Sequence, residues 1–122
     1  GRICKHIYFL NNRNLSISMN FNNHPIPLSQ DEIMSLAETF RLLGDASRLK
    51  ILLFCMRGPS SVGEISDALD LSQSLVSHNL RLLRSARLVK GERQSKQVFY
   101  EIDDLHVSQV LLDMASHISE EH

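Results

Sequence analysis

The stretch that decides the fold is Ser72-Gln73-Ser74-Leu75-Val76-Ser77-His78-Asn79-Leu80-Arg81-Leu82-Leu83-Arg84. Val76, Leu80 and Leu83 recur in it at helical spacing, so they predict the inward stripe of a helix. A shorter helix over about Val62 to Leu69 and a three-residue turn precede it. The two helices and the turn predict a helix-turn-helix unit, in which the second helix is the part that enters the DNA major groove.

Polar and basic side chains cover the outward side of this second helix. Short polar side chains near its N-terminal end can reach base edges, and Ser72 with the free backbone amides of the first turn can bind a phosphate. The arginines further along project toward the DNA backbone. The predicted contacts from this helix are Ser72, Gln73, Ser74, Ser77, His78, Arg81 and Arg84.

The sequence changes from helical to alternating periodicity after Leu88. Leu88–Lys90 and Gln97–Ile102 predict two strands around a polar turn near residues 93–96. Arg93 and Lys96 would make this hairpin a basic wing that lies along the neighbouring phosphates or in the minor groove. A helical hairpin with arginines on its solvated face is the alternative, but a basic helix followed directly by a basic hairpin favours a DNA-binding winged helix-turn-helix.

The remaining elements complete a mainly α fold with one β-hairpin. Ser29 followed three residues later by Glu32 is a capping-box pattern, which predicts a helix through Leu43. A second helix is expected from about Ala46 to Met56, and a last helix after Asp103 or Asp104, ending near Ser119. We therefore predict one domain over residues 29–122.

Residues 1–28 differ in composition from this domain. The run from Asn11 to Asn23 holds six asparagines, and Pro25 and Pro27 follow it. This composition favours turns and extended chain. Position 1 is not Met, whereas Met19 would be a natural start for the domain. We expect a flexible N-terminal arm or an appended segment, and we give it little weight in the functional prediction.

Length, charge and cysteine content restrict the function classes. The 122 residues suit one domain, and the net charge is −1. The charge is segregated: six basic residues and one acidic residue lie between Gln73 and Tyr100, whereas six acidic and no basic residues follow Tyr100. Two cysteines are too few for a disulfide framework, and no apolar run could span a bilayer. These features favour a cytoplasmic protein without a membrane partner.

The chain closely resembles the ArsR/SmtB winged-helix repressors. The resemblance rests on Leu42-Leu43-Gly44-Asp45-Ala46-Ser47-Arg48-Leu49-Lys50-Ile51-Leu52, on the stretch from Ser72 to Leu83, and on Leu88-Val89. It covers residues 29–121 and implies a homodimer bound to an imperfect inverted repeat of operator DNA, repressing a gene for metal efflux or sequestration. One departure is Ser95 at the hairpin tip, where the family often has Gly; Gly91 could relieve the strand instead.

Four potential metal ligands lie on or beside the last helix: Asp104, His106, His117 and Glu120. The two histidines are eleven residues apart, which is about three turns and about 16 Å of helix, too far to share one zinc ion. An antiparallel partner helix would bring the first pair of one chain to the second pair of the other, giving two equivalent sites per dimer. Each residue taken alone is more typical of a solvated helix, and it is the four together, at spacings that close only across a two-fold axis, that indicate a metal site.

The resemblance implies the same four ligands, because zinc sensors of this family with a site on the C-terminal helix carry this spacing. Two nitrogens and two carboxylates suit zinc or cobalt, and nickel would draw further ligands from Asp113, Glu121 or His122. None of these four ligands is a thiolate, which argues against copper(I), cadmium, lead and arsenic as the bound ion. The family's Cys-x-Cys pair for soft metals is missing at residues 60–64, and Cys4 and His24 of the arm have no partners there.

The sequence is compatible with several functions. The metal could release the repressor from DNA, or it could be a structural staple in a constitutive repressor. Cys55 is expected to be a small core residue, and a redox-responsive repressor that uses it is a further alternative. No nucleophile with a supporting base and no Gly-rich phosphate loop is evident, so the sequence predicts that the chain is not an enzyme.

Overall fold

The computed structural model describes residues 27–121, with side chains through Glu120. Most of the predicted arm over residues 1–28, including Cys4 and His24, lies outside the described residues, as does His122. Five helices and three short strands follow one another along the described chain: α1 (Gln30–Leu43), α2 (Ala46–Cys55), β1 (Ser60–Ser61), α3 (Val62–Leu69), α4 (Gln73–Ser85), β2 (Val89–Gln94), β3 (Gln97–Ile102) and α5 (Leu105–Glu121). The predicted class, mainly α with a β-hairpin, is confirmed.

Side-chain caps start the helices where the sequence predicts them. The Ser29 amide donates to Glu32 Oε1 at 2.9 Å and the Glu32 amide donates to Ser29 Oγ at 3.1 Å, so the predicted capping box of α1 is present. A second capping box at α3, between Ser61 and Glu64, was not predicted. These bonds satisfy first-turn amides that have no partner within the helix.

The described chain divides into two units within α1, between Ala37 and Glu38. The first unit contains the N-terminal half of α1, on which Ile33, Met34 and Leu36 are exposed. The second unit, from Glu38 onward, contains the last six residues of α1 and all of the other described elements. It carries the core and both groups of predicted functional residues.

The core of the second unit is aliphatic. The predicted inward stripe of α4 is confirmed, because Val76, Leu80 and Leu83 are all buried. They pack in one cluster with residues of α2, α3, β2, α5 and the connection before β2, namely Ile51, Leu52, Cys55, Ile65, Leu88, Val89 and Leu111. Apolar burial of this kind is the main favourable term in folding. It holds the helix-turn-helix unit against α2 and the hairpin.

The turns on either side of α4 depend on left-handed backbone. Asp70 ends α3 with φ 56°, and the Leu71 amide donates to the Ser66 carbonyl at 3.1 Å. At the other end of α4, Arg87 has φ 62° and the Leu88 amide donates to the Leu83 carbonyl at 2.9 Å. The second arrangement is a Schellman motif, which ends the helix and turns the chain directly into β2.

The sheet is antiparallel with strand order β1-β3-β2. Two details correct the sequence prediction. Strand β2 continues through Gln94, which pairs with Gln97, so the turn comprises only Ser95 and Lys96, and Arg93 lies in the strand. Strand β1 was not predicted; it is only two residues long and pairs with Phe99 and Tyr100. Strand β1 depends on its long-range pairing with β3, and the alternation of apolar and polar residues along one strand does not encode such a pairing.

Helix α5 follows the sheet and contacts the core with Val107 and Leu111. Met114 and Ile118 follow Leu111 at helical spacing, but they are exposed. Among the helices of residues 27–121, none combines the length and apolar character needed to cross a bilayer.

Candidate DNA surface and metal ligands

The recognition helix α4 presents its predicted contact residues to solvent. Ser72 is the N-cap, and its hydroxyl accepts a hydrogen bond from the Leu75 amide at 3.1 Å. This bond uses only an acceptor position of the hydroxyl, so the Ser72 O–H can still donate to a phosphate beside the amides of Gln73 and Ser74, which have no partner within the helix. Ser77 is half-buried, whereas the other predicted contacts are exposed: Ser72, Gln73, Ser74, His78, Arg81 and Arg84.

The wing places its two predicted basic contacts differently. Arg93 lies on β2 opposite Val98, and Lys96 is in the two-residue turn. Both side chains are exposed. Ser95 adopts φ 57°, the left-handed conformation that Gly adopts without steric cost. The departure from Gly at this position is thus accommodated in the turn itself.

The sequence analysis missed a polar contact behind the recognition helix. Asn79 is only 2% exposed although it lies among the apolar residues of α4. Its Oδ1 accepts a hydrogen bond from Arg48 Nη1 at 3.2 Å. The only available signal was an amide side chain at an inward position of α4, where the spacing predicts an apolar residue. Its partner is 31 positions away in sequence, so no local pattern identifies it.

Asp104 and His106 converge at the start of α5. The His106 amide donates to Asp104 Oδ1 at 2.6 Å, and His106 Nδ1 lies 2.9 Å from the same oxygen. Hydrogen bonds from the backbone and side chain of His106 hold the pKa of Asp104 below its ordinary value. A carboxylate has about four lone-pair positions, so Asp104 can cap the helix and still bind a metal ion. Both side chains are solvent-accessible.

His117 and Glu120 lie at the other end of α5, exposed and three residues apart. The structure therefore brings the four predicted ligands together as two separate pairs and not as one set. Between residues 27 and 121, no three His, Cys, Asp or Glu side chains of a single chain are grouped to hold one metal ion. The donor types present, imidazole and carboxylate, suit zinc.

An exposed apolar stripe runs along α5 beside the predicted ligands, and two of its three residues lie between the two pairs. Val110, Met114 and Ile118 recur every four residues and are 47%, 54% and 55% exposed. His106 precedes Val110 by four residues, and His117 follows Met114 by three, so both histidines lie along the same side of the helix. Exposed apolar surface of this kind is typical of an interface with another protein chain.

Cys55 is a core residue, as predicted. It is 1% exposed and forms no disulfide. Burial raises the pKa of its thiol to about 12. Because the thiolate is the reactive form, this side chain is poorly suited to redox sensing.

Comparison with known proteins identifies the family. The sequence profile of the arsR family of bacterial regulatory proteins matches residues 45–90. A transcriptional repressor SmtB homologue from Synechocystis sp. is 38% identical over 96 residues, which are 79% of this chain and 73% of the relative. A CadC homologue from Staphylococcus aureus, named as a cadmium resistance transcriptional regulatory protein, is 32% identical over 69% of this chain and 70% of the relative.

The regulator NmtR of Mycobacterium tuberculosis is similar in both sequence and structure. It is 39% identical over 81% of this chain and 82% of NmtR, and the solution structure of apo-NmtR superimposes with a TM-score of 0.63, covering 80% and 81% of the two chains.

A second solved structure extends the comparison to a dimer. The homodimeric winged helix-turn-helix DNA-binding domain from Mycobacterium bovis, at 25% identity, gives a TM-score of 0.67 and covers 80% of this chain and 92% of that domain. By the identity and coverage of its relatives, this chain belongs to the ArsR/SmtB family of winged helix-turn-helix transcriptional repressors, which bind DNA and are not enzymes.

Proposed function

We propose that this chain is a metal-responsive repressor of the cytoplasm. It would bind an imperfect inverted repeat of operator DNA as a homodimer and leave it when zinc or cobalt binds, so that a metal efflux or sequestration gene is expressed. The observation that carries the proposal is the separation of the four candidate ligands into two pairs at the two ends of α5. Relatives that include an SmtB homologue and a protein named for cadmium resistance support a metal as the signal.

The positions of the two pairs fit one antiparallel arrangement of α5 helices. The midpoint of Asp104 and Glu120 is residue 112, and the midpoint of His106 and His117 lies between residues 111 and 112. A single two-fold axis near this point would therefore bring both pairs into register with their partners in the other chain. The symmetry of such an interface makes two equivalent sites.

The exposed stripe supplies the apolar part of this interface. Val110 and Met114 lie between His106 and His117 on one side of α5, so two antiparallel helices would pack apolar side chains in the middle and place ligands at each end. Burial of these side chains would stabilise the dimer without metal. Zinc would supply a cross-link between the helices at both ends of the contact. Asp104 and His106 would bind it together with the partner's equivalents of His117 and Glu120.

Thermodynamic linkage defines the expected behaviour. If zinc weakens operator binding by some factor, operator DNA must weaken zinc binding by the same factor. Allosteric coupling free energies are typically about 1–3 kcal/mol, which is roughly 5–150-fold in affinity. The acidic ligand set on α5 and the basic surface on α4 and the wing would thus respond to each other through the dimer.

Fluorescence anisotropy of a labelled operator duplex tests the proposal, with the operator first selected in vitro by the metal-free protein. Zinc should weaken binding, and a chelator should restore it. His106→Ala and His117→Ala should bind the metal-free operator like the wild type but stay bound when zinc is added, and Ser116→Ala on the exposed part of α5 should respond normally. Release of either histidine variant by zinc would show that the site is assigned wrongly.

One alternative has the metal as a structural staple in a constitutive repressor. In that case zinc would bind the wild type with no change in operator affinity. The redox alternative is disfavoured by the burial of Cys55 and the raised pKa of its thiol.

A further inference from the structure

Asn79 is an unusual residue for its position in α4. It is 2% exposed and lies in the same helix as the buried Val76, Leu80 and Leu83. A buried amide is costly unless it is hydrogen-bonded, and Asn79 meets this requirement through Arg48 Nη1, which donates to its Oδ1 at 3.2 Å. An aliphatic side chain in the same place would need no partner.

Arg48 is held from three directions. Its Nε donates to the Leu42 carbonyl at 2.9 Å, in the last turn of α1, and its backbone amide donates to Asp45 Oδ2 at 3.0 Å. The guanidinium is half-buried. Because it is planar and its donors have fixed directions, the bond to Leu42 also limits where Nη1 can point. One side chain thus connects the end of α1 and the start of α2 to the inner side of α4.

Apolar packing and hydrogen bonding constrain a helix differently. Aliphatic contacts are non-directional and allow a helix to rotate slightly about its axis. Side-chain tips on a helix lie about 5–6 Å from that axis, so a rotation of about 20° moves them by about 2 Å. Hydrogen bonds to base edges form only over about 2.7–3.2 Å, so that rotation would break them. A directional bond on the inner side opposes such a rotation.

We propose that Arg48 is a positioning residue for DNA recognition, acting through its hydrogen bond to Asn79 to set the rotation of α4. The inference rests on DNA binding through α4 and not on release by metal. Arg48 and Asn79 are 31 positions apart in sequence. Their hydrogen bond lies on the side of α4 opposite to the exposed Ser74, His78 and Arg81. Its role is to determine where those three side chains project.

The decisive variant replaces both partners by apolar side chains, Arg48→Met with Asn79→Leu. A buried polar pair replaced on both sides often leaves stability unchanged or raised, so the melting temperature of this variant should fall only by the loss of the Arg48 Nε bond to the Leu42 carbonyl. Affinity for the selected operator should fall by about tenfold or more, a loss typical of one broken base contact. Affinity for a scrambled duplex of the same length should stay within about twofold, because phosphate contacts do not depend on base register.

A second variant serves if the double variant does not fold. Arg48→Lys keeps the charge but lacks the planar fork, so it should lower the ratio of operator to scrambled-duplex affinity. Ile51→Val, a buried aliphatic change on the same helix α2, is the matched control for lost stability and should leave that ratio unchanged. An unchanged ratio in folded Arg48→Met/Asn79→Leu, or in Arg48→Lys if that is the variant that folds, would overturn the proposal.

These measurements are made without metal. Failure of zinc to release the wild type would therefore contradict the proposed function and leave the inference about Arg48 intact. A normal zinc response of the wild type together with an unchanged affinity ratio in the decisive variant would support the proposed function and contradict the inference about Arg48.

Discussion

The ring of Tyr100 lies over Gly91, its partner across the β2–β3 ladder. A Cβ atom at Gly91 would be 2.9 Å from Tyr100 Cε1 and 3.0 Å from Val98 Cγ1. Carbon atoms pack comfortably at about 3.5–4.0 Å, so the absence of a side chain at position 91 allows the ring to cover the strand. The glycine relieves crowding in β2, whereas the positive φ of the wing turn falls on Ser95.

Gly91→Ala should therefore destabilise the fold. We expect the free energy of unfolding to fall by about 1 kcal/mol or more, a cost typical of overpacking, measured by urea denaturation. Gly63→Ala in α3 is the matched control, because its new Cβ would meet Gln73 Nε2 at 3.9 Å, an ordinary contact. The control should be neutral or slightly stabilising. Equal stability of the two variants would show that the Tyr100 ring moves aside without cost.

Substitutions at Asp104 should separate helix capping from metal binding. Asp104→Asn keeps an oxygen that can accept from the His106 amide, so the melting temperature should change little. It loses the carboxylate charge, so zinc affinity should fall by more than about tenfold, since even an outer partner of a metal ligand contributes that much. Asp104→Ala should lose both the helix cap and the zinc affinity. Competition with a chromophoric chelator measures the affinity, and wild-type zinc affinity in Asp104→Asn would contradict the ligand assignment.

The pKa shift of Asp104 has a defined sign. Because hydrogen bonds from His106 lower its pKa in the folded state, the stabilisation is present above the ordinary carboxyl pKa and is lost as pH falls through the lowered value. The difference in stability between wild type and Asp104→Ala should therefore shrink on acidification, measured by thermal melts across the acidic range. A difference that does not change with pH would mean that the carboxylate charge plays no part in the cap.

The stripe on α5 should mediate dimerisation. Met114→Glu places a charge in the proposed apolar contact, where it would be desolvated or would separate the chains. Sedimentation velocity should show a shift toward monomer. Leu112→Glu is the matched control, because Leu112 is 52% exposed against 54% for Met114 but is two residues away on a different side of the helix. Loss of the dimer in both variants equally would place the interface elsewhere.

The wing residues should contribute to affinity and not to sequence preference. Arg93→Ala and Lys96→Ala should each reduce the slope of log affinity against log salt by about 0.9 if each binds one phosphate. Arg41→Ala is the control, since Arg41 is paired with Glu38 at 2.8 Å on α1 and should leave the slope unchanged. Wing variants with a wild-type slope would mean that the hairpin does not reach the DNA backbone.

Cys55 should be unreactive in the folded protein. In a Cys4→Ser background, a thiol reagent at neutral pH should modify Cys55 only as fast as the protein unfolds. Its pKa is raised from 9.0 to about 12 by burial, so the stabilisation that it contributes is complete below pH 9 and is lost between pH 9 and about 12. Cys55→Ala should remove this loss of stability at alkaline pH, which is measured by urea denaturation at a series of pH values. Rapid labelling, or release of DNA by peroxide, would favour the redox alternative.

The local features of this chain were accessible from sequence because they depend on residues close together. Ser29 and Glu32 are three positions apart, and the capping box they form begins α1 where predicted. Asp104 and His106 are two positions apart, and the structure brings them within hydrogen-bonding distance as a pair. The burial of Val76, Leu80 and Leu83 follows from a helical repeat of the same short range.

The tertiary structure alone decided the features that join distant segments. Strand β1 exists because Ser60 and Ser61 pair with Tyr100 and Phe99, and Asn79 is satisfied by a guanidinium 31 residues earlier. Periodicity reports which side of an element is buried but not which partner covers it.

The sequence by itself determined the order of the helices and the hairpin, the inward stripe of α4 and the candidate ligands on α5, since helix and hairpin formation respond to neighbours within a few residues. Only the tertiary structure decided that Met114 and Ile118 are left exposed and that a polar bond lies behind the recognition helix. Those outcomes depend on which surfaces are close in space, and packing brings together residues that the chain separates by tens of positions.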